Sequence, residues 1–352
     1  MAATIIDVAN RAGCSKSTVS RFLNGSTVIA EGTRARIAQA IDEMGFRPSE
    51  IGRSLKRRLT QTVGVLVPSL TNPVFASSVA GIQAQARSAG RSIILATSDY
   101  DPDIEKEAVA NLLGHNVSGL ILTLCNGVSS AALDLIESAG CPFVLLFNDA
   151  VGSNGPAISV DNEGSARELT EAVISAGHRR IAFVAAHFAS SDRSRLRYCG
   201  YTTALEAAAL PVLPPLEVHF EGGDTSAVIA ELFTQPDPPT ALLCSTDILA
   251  LTAMATLRDL GLTVPNDVSV AGFDGIGLGA MLSPPLATVA QPTWDMGFEA
   301  MRLLSEQLAG RMISAPAYLP HALRLGGTLA VPKRSIATSM NNNKAGRKSD
   351  EL

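Results

Sequence analysis

Thr4-Ile-Ile-Asp-Val-Ala-Asn-Arg-Ala-Gly-Cys-Ser-Lys-Ser-Thr-Val-Ser-Arg-Phe-Leu-Asn24 is the stretch on which the reading of this chain turns. Thr4 with Asp7 three residues on makes a capping-box-like helix start, with Asp in place of the usual Glu. Val8, Ala9 and Ala12 continue an apolar stripe at helical spacing, and Gly13 breaks it. Ser15 then caps a second helix, Lys16 to Leu23, whose Val19, Phe22 and Leu23 face inward, and Asn24-Gly25 ends it. Thr33 caps a third helix, striped by Ile37, Ile41 and Met44 and stopped at Gly45. Two short helices joined by a tight, Gly-containing turn form a helix-turn-helix, and the first residues of its second helix enter the major groove of DNA. Here those residues are Ser15, Lys16, Ser17 and Thr18, with Arg21 one turn later and Ser20 and Asn24 completing the set. Lys and Arg donate to guanine O6 and N7, while a serine hydroxyl serves either way. Thr4 and Thr33, hydroxyls at helix starts, suit phosphate oxygens.

Charge points the same way. The chain has 352 residues and a net charge of −5, but residues 1–60 hold ten Lys and Arg against five Asp and Glu. That +5 head sits on a body of −10, an asymmetry that suits a polyanion partner at one end. With 46% hydrophobic and 17% charged residues the composition is globular, and the length suits two or three domains. No apolar run is long enough to span a bilayer. The first residues lack the basic and apolar regions of a signal peptide, so a cytoplasmic location is expected. The terminal Ser349-Asp-Glu-Leu352 is read as chance. Five scattered cysteines, Cys14, Cys125, Cys141, Cys199 and Cys244, contain no C-x-x-C, which argues against a disulfide framework or a zinc site.

The opening stretch closely resembles the headpiece of the lactose-repressor (LacI/GalR) family of bacterial transcription regulators. Its T-V-S-R-x-L-N hallmark stands as Thr18 to Asn24, and the resemblance runs to about Pro332. Pro48-Ser-Glu-Ile-Gly-Arg-Ser-Leu-Lys56 resembles the family hinge. The resemblance implies that Leu55 wedges into the minor groove, unstacking a base step, with Lys56 near phosphates. Gly52 departs from the family's usual Ala; at about 1 kcal/mol for Gly in a helix interior, the hinge is expected to fold only on DNA.

From Thr62 the pattern changes. Apolar runs (Val63–Val67, Ile93–Ala96, Leu120–Leu124, Phe143–Phe147, then Ile181–Ala185, Val218–Phe220, Ala241–Cys244 and Val268–Gly272) alternate with helical stretches. Continuous apolar strands between helices argue for parallel sheets covered on both faces. The expected fold is a small all-α helix-turn-helix headpiece plus an α/β periplasmic-binding-protein-like domain of two parallel-sheet subdomains, the second part implied by the resemblance. The boundaries read as headpiece 1–47, hinge and linker 48–61, effector-binding and dimerisation domain 62–332, and disordered tail 333–352. Within the large domain, 62–160 with 291–322 forms one subdomain and 161–290 with 323–332 the other. Crossings fall near Val160-Asp-Asn162, Gln291-Pro292 and Ala322-Leu-Arg324.

Open α/β sheets bind ligands beyond the carboxyl ends of their strands. The residues there are Ser69, Asn72 and Phe75, Asn148 and Asp149, Thr246 with Asp247, and Asp274. Amides, carboxylates and an aromatic face suit a polyhydroxylated ligand. The segment Arg193-Ser-Arg-Leu-Arg-Tyr-Cys-Gly-Tyr201 resembles the family's R-x-x-G-[YWF] signature, which makes Arg197 the effector anchor and adds Tyr201. Arg193 and Arg195 read as solvated charge that hints at an acidic sugar. Asp274 stands in Val270-Ala-Gly-Phe-Asp274, similar to the family's V-x-G-F-D. Thr246 departs from the family's usual Asn or Asp, and Asp247 reads as a helix cap or a ligand contact.

Catalytic signals are missing from the sequence: no G-x-S-x-G, H-E-x-x-H or P-loop occurs, and Gly275-Ile-Gly277-Leu-Gly279 lacks the dinucleotide spacing. No catalytic residue, metal or cofactor is expected, and the chain reads as no enzyme. The partners implied are a pseudo-palindromic duplex operator, a sugar or sugar-acid effector and a second copy of the chain, with no membrane. The function expected is a repressor released by a sugar-like inducer. The alternatives are a corepressor-dependent repressor, or a sugar-binding protein with no role on DNA.

Overall fold

The computed structural model describes residues 4–23, 29–45, 60–149, 155–220, 225–311 and 318–333. The chain forms two compact units, 1–60 and 61–352. Residues 48–59 of the hinge, among them Leu55 and Lys56, residues 334–352 of the tail, and Asn24 lie outside the described residues.

The small unit has helices α1 (Ile5–Ala12), α2 (Lys16–Leu23) and α3 (Glu31–Met44). Thr4 and Asp7 close the expected capping box: Asp7 N donates to Thr4 Oγ1 at 3.3 Å, and Thr4 N donates to Asp7 Oδ2 at 2.8 Å. Ser15 Oγ accepts from Thr18 N at 3.2 Å and so starts α2. Val8, Ala9, Ala12, Val19, Ile37 and Ala40 form the core, flanked by half-buried Phe22, Leu23, Ile41 and Met44. The expected cap at Thr33 is corrected. Helix α3 begins after Ala30, whose carbonyl accepts from Thr33 N and Arg34 N at 2.9 and 3.0 Å. Glu31 supplies the negative charge that a helix start favours, and Thr33 lies inside the first turn, accepting from Arg36.

The large unit holds two sheets. The first comprises β1 (Thr62–Val67), β2 (Ser92–Thr97), β3 (Leu120–Leu122), β4 (Phe143–Leu146) and β5 (Ala157–Ile158) in the order β2-β1-β3-β4-β5, all parallel. The second comprises β6 (Ile181–Ala186), β7 (Leu216–Val218), β8 (Ala241–Cys244), β9 (Ser269–Asp274), β10 (Ala287–Ala290) and β11 (Ala322–Arg324), ordered β11-β10-β9-β8-β6-β7 with only β11 antiparallel. Strands β6, β8, β9 and β10 are buried along their whole length, which is why they read as unbroken apolar runs.

Helices α4 (Pro73–Ser88), α5 (Pro102–Gly114) and α6 (Ala131–Ala139) belong to the first sheet's half, and α7 (Asn162–Ser175), α8 (Asp192–Ala207), α9 (Thr225–Leu232), α10 (Asp247–Asp259) and α11 (Gly277–Met281) follow. After β10 the chain returns to the first half as α12 (Thr293–Leu308), packed on α4. That packing needs glycine: a Cβ on Gly81 would stand 2.0 Å from Trp294 O, and one on Gly297 2.0 Å from Ser78 O. Strand β11 then rejoins the second sheet. Among the described residues no helix is long and apolar enough to cross a membrane.

Candidate DNA interface and effector cleft

The start of α2 carries a cluster of hydroxyls. Ser15 Oγ lies 2.7 Å from Ser17 Oγ and 2.8 Å from Thr18 Oγ1. Ser15, Lys16, Ser17 and Arg21 are exposed, while Thr18 and Ser20 are half-buried beside the core residue Val19. Among the described residues neither Lys16 nor Arg21 is held in an ion pair, whereas Arg11 is tied to Glu43 at 2.6 Å. Helix α2 thus offers Lys16 and a set of hydroxyls at its positive end and Arg21 in its last turn, the chemistry that contacts base edges and phosphates. Thr4 is exposed at the start of α1.

In the large unit, the carboxyl ends of β1, β4, β8 and β9 meet α8 around a cavity of about 20 Å³, room for one water. Asn72, Phe75, Phe147, Arg193, Arg197, Thr246, Asp274 and Gln291 line it. Arg197 is buried and held through its Nε, its Nη1 and one face of its guanidinium. Its Nε donates to Asn162 Oδ1 at 2.9 Å and its Nη1 to Ser245 O at 2.5 Å; its guanidinium lies 3.6 Å from the Phe273 ring centre and 3.5 Å from Asp274 Oδ1. Burial pulls its pKa down to about 10, opposed by Asp274, so it stays charged at neutral pH. Gln291 Nε2 donates to Asp274 Oδ1 at 2.8 Å, but Asp274 Oδ2 is buried without a hydrogen-bond partner. Burial raises the pKa of Asp274 against the pull of Arg197, and burial together with the charge of Asp274 raises that of Asp247.

Of the residues expected at the cleft, Asn72, Phe75, Arg197, Thr246 and Asp274 line this cavity. Asn72 also caps α4 through Val74 N, and Thr246 caps α10 through Leu249 N. Asp247 is therefore not the cap: it accepts from Ile276 N at 2.8 Å and Thr288 Oγ1 at 2.6 Å, fixing the loop after β9. Ser69 lines instead a neighbouring cavity of about 220 Å³, with Asp99, Asp101, His187 and His219. Tyr100 and Phe220 stand in both linings, their rings stacked at 4.0 Å.

Three expectations are corrected. Asn148 turns away from the cavity: its side chain bonds Leu124 N and O, and Asp192. Asp149 lines neither cavity and accepts from Tyr318 Oη at 2.7 Å. Tyr201 sits in the core against Phe183 and Tyr198, its hydroxyl donating to Ile181 O at 2.8 Å. One helical turn beyond Arg197, about 6 Å along α8, it has passed beneath the sheet. Gly200 of the same signature lets α8 touch α7; a Cβ there would stand 2.1 Å from Glu163 O.

The sequence reading missed Phe147, Gln291 and Arg193 as cavity residues. Arg193 is 5% exposed, not solvated, while Arg195 is exposed. The signal was available in the four-residue spacing of Arg193 and Arg197, which puts both on one helix face.

A helix-turn-helix unit and a two-sheet unit with a polar cleft, joined in one chain, define the class of ligand-responsive DNA-binding regulators. Comparison with known proteins narrows the class. Residues 4–49 match "Bacterial regulatory proteins, lacI family", and residues 170–329 match "Periplasmic binding protein-like domain". Catabolite control protein A of Priestia megaterium is 32% identical over 326 residues, covering 92% of this chain and 98% of that protein. Among solved structures, the lac repressor dimer bound to operator and the anti-inducer ONPF aligns with a TM-score of 0.83 at 27% identity, over 94% of this chain and 100% of that one. The complex of the transcriptional regulator CelR with cellobiose aligns with a TM-score of 0.68 at 28% identity, over 93% and 99%. The chain belongs to the LacI family: it is a sequence-specific DNA-binding transcriptional regulator, not an enzyme.

Proposed function

We propose that this regulator is a homodimeric repressor that binds a pseudo-palindromic operator and is released from it by a small sugar or sugar acid. The observation that carries the reading is Asp274 Oδ2, a buried acceptor with no partner on the wall of a cavity that also presents Arg197. An unpaired buried acceptor is costly, and a ligand hydroxyl relieves that cost. The lac repressor and CelR, with their operator and cellobiose, support the analogy.

In this reading residues 1–47 are the headpiece, 48–61 the hinge, 62–332 the effector-binding and dimerisation domain, and 333–352 a tail. Ser15, Lys16, Ser17 and Thr18 enter the major groove of each half-site, with Arg21 one turn later; Thr4, Thr33 and Lys56 lie at phosphates, Ser20 and Asn24 complete the contacts, and Leu55 wedges at the centre. Two-fold symmetry of the dimer is what makes the operator palindromic. Effector and operator then weaken each other's binding by the same factor.

The test is selection of bound sequences from a random duplex library by the full-length protein, followed by binding to the winner across a salt series. A two-fold palindrome with a steep salt slope is expected. Absence of any enriched sequence would overturn the operator reading. A winner with a single half-site would overturn the dimer.

A further inference from the structure

Two guanidinium groups face the same small cavity, and their hydrogen-bonding capacity is only half used. Arg193 and Arg197 are 5% and 4% exposed and lie one turn apart on α8. Arg193 donates from Nη1 to Leu124 O at 2.7 Å and to Asp192 Oδ1 at 3.0 Å, and Arg197 uses Nε and Nη1. Among the described residues the Nε and Nη2 of Arg193 and the Nη2 of Arg197 have no hydrogen-bond partner.

The nearby carboxylates do not make up the deficit. Asp192 Oδ2 is already taken by Gly127 N at 3.0 Å and Asn148 Nδ2 at 2.8 Å. Asp274 meets Arg197 only at 3.5 Å, and the same oxygen already accepts from Gln291 Nε2 at 2.8 Å. The cavity wall therefore offers unfilled charged donors on the α8 side and an unfilled acceptor at Asp274 Oδ2. A neutral polyol satisfies the acceptor but meets the guanidiniums only with hydroxyls. A carboxylate matches a guanidinium edge with two parallel, charge-assisted bonds.

We infer that the effector is a hydroxylated carboxylate, a sugar acid and not a neutral sugar, and that Arg193 acts beside Arg197 as the residue that reads its charge. The inference rests on the effector-responsive reading above and narrows its ligand class. Asp274 takes a hydroxyl of the same molecule.

The experiment is calorimetric titration of the full-length protein with D-gluconate, D-glucuronate and D-galacturonate, each beside a neutral partner: D-glucitol, D-glucose and D-galactose. At least one acid is expected to bind at least about tenfold more tightly than its neutral partner. Arg193→Gln should lose about ten- to a hundredfold for that acid, the range for a buried charge-assisted bond, and far less for the neutral sugar. Arg193→Lys, which keeps the charge, should retain most of the preference and guards against a variant that fails to fold. Binding by neutral members alone, or equal discrimination in Arg193→Gln, overturns this inference and leaves the sugar reading standing. No binding by either series overturns both.

Discussion

Asn148 donates from Nδ2 to Asp192 Oδ2 at 2.8 Å, and this buried bond joins the end of β4 in the first sheet to the start of α8 in the second. It does not stand alone. Gly127 N donates to the same oxygen at 3.0 Å, Asp192 N to Cys125 O at 2.9 Å and Arg193 Nη1 to Leu124 O at 2.7 Å. The first turn of α8, whose Ser191, Arg193 and Ser194 line the small cavity, is thereby fastened to the loops after β3 and β4. Asn148→Ala removes one charge-assisted bond and leaves part of a buried carboxylate unsatisfied. A loss of about 1.5–3 kcal/mol is expected in urea unfolding of the large unit. A change within about 0.5 kcal/mol, the range of an ordinary surface substitution, would mean that the bond does not hold the two halves.

Arg197 is both a cavity residue and the counter-charge of Asp274. Removing it alone leaves a buried carboxyl without its ion-pair partner, and breaking such a pair costs about 3–5 kcal/mol. Arg197→Met is expected to lose effector response while the headpiece still binds operator. The double change Arg197→Met with Asp274→Asn should recover much of the stability but not the response. Operator binding with and without effector, beside thermal melts of both variants, checks this. A double variant no more stable than the single one would mean that the Arg197–Asp274 pairing is not what stabilises the cleft.

The fold was legible where burial is symmetric. Strand β8 reads as Ala241–Cys244 to the residue because both its faces are covered, and β1, β4 and β6 differ from their apolar runs by only a residue or so. Strands β5 and β11, short and at sheet edges, carry no such run. The cleft was legible where a residue leaves a strand toward the cavity, as with Asp274, and illegible where direction alternates. Phe147 and Asn148 are adjacent, so when one faces the cavity the other faces away. Chain order alone does not decide which. Arg193 became readable only with the register of α8 in hand.

The cleft carboxyls set a pH dependence. Asp247 and Asp274 titrate at 3.8 in an unfolded chain, and burial raises both in the fold. The folded state therefore holds extra protons above that value. The stability this gives is complete below the ordinary aspartate range and is lost as pH rises through the elevated folded values. The melting temperature should fall between about pH 5 and about pH 8. Asp247→Asn, which keeps an acceptor for Ile276 N, should flatten that slope. An unchanged slope in this variant would assign the pH dependence to other groups.

Lys16 and Arg21 differ in what their loss should do, because they stand at different heights on α2. Lys16 opens the helix at the end proposed to enter the groove, where a base-edge contact is worth about 1–3 kcal/mol of discrimination. Lys16→Ala should relax preference at one position of each half-site. Arg21 lies one turn later, where a phosphate contact would weaken all sequences alike and lower the log–log salt slope by about 0.9 per phosphate. Binding of both variants to the selected operator and to single-base variants, at four salt concentrations, separates the two. If Lys16→Ala changes only the salt slope while Arg21→Ala changes base preference, the roles are reversed and the helix enters the groove further along its length.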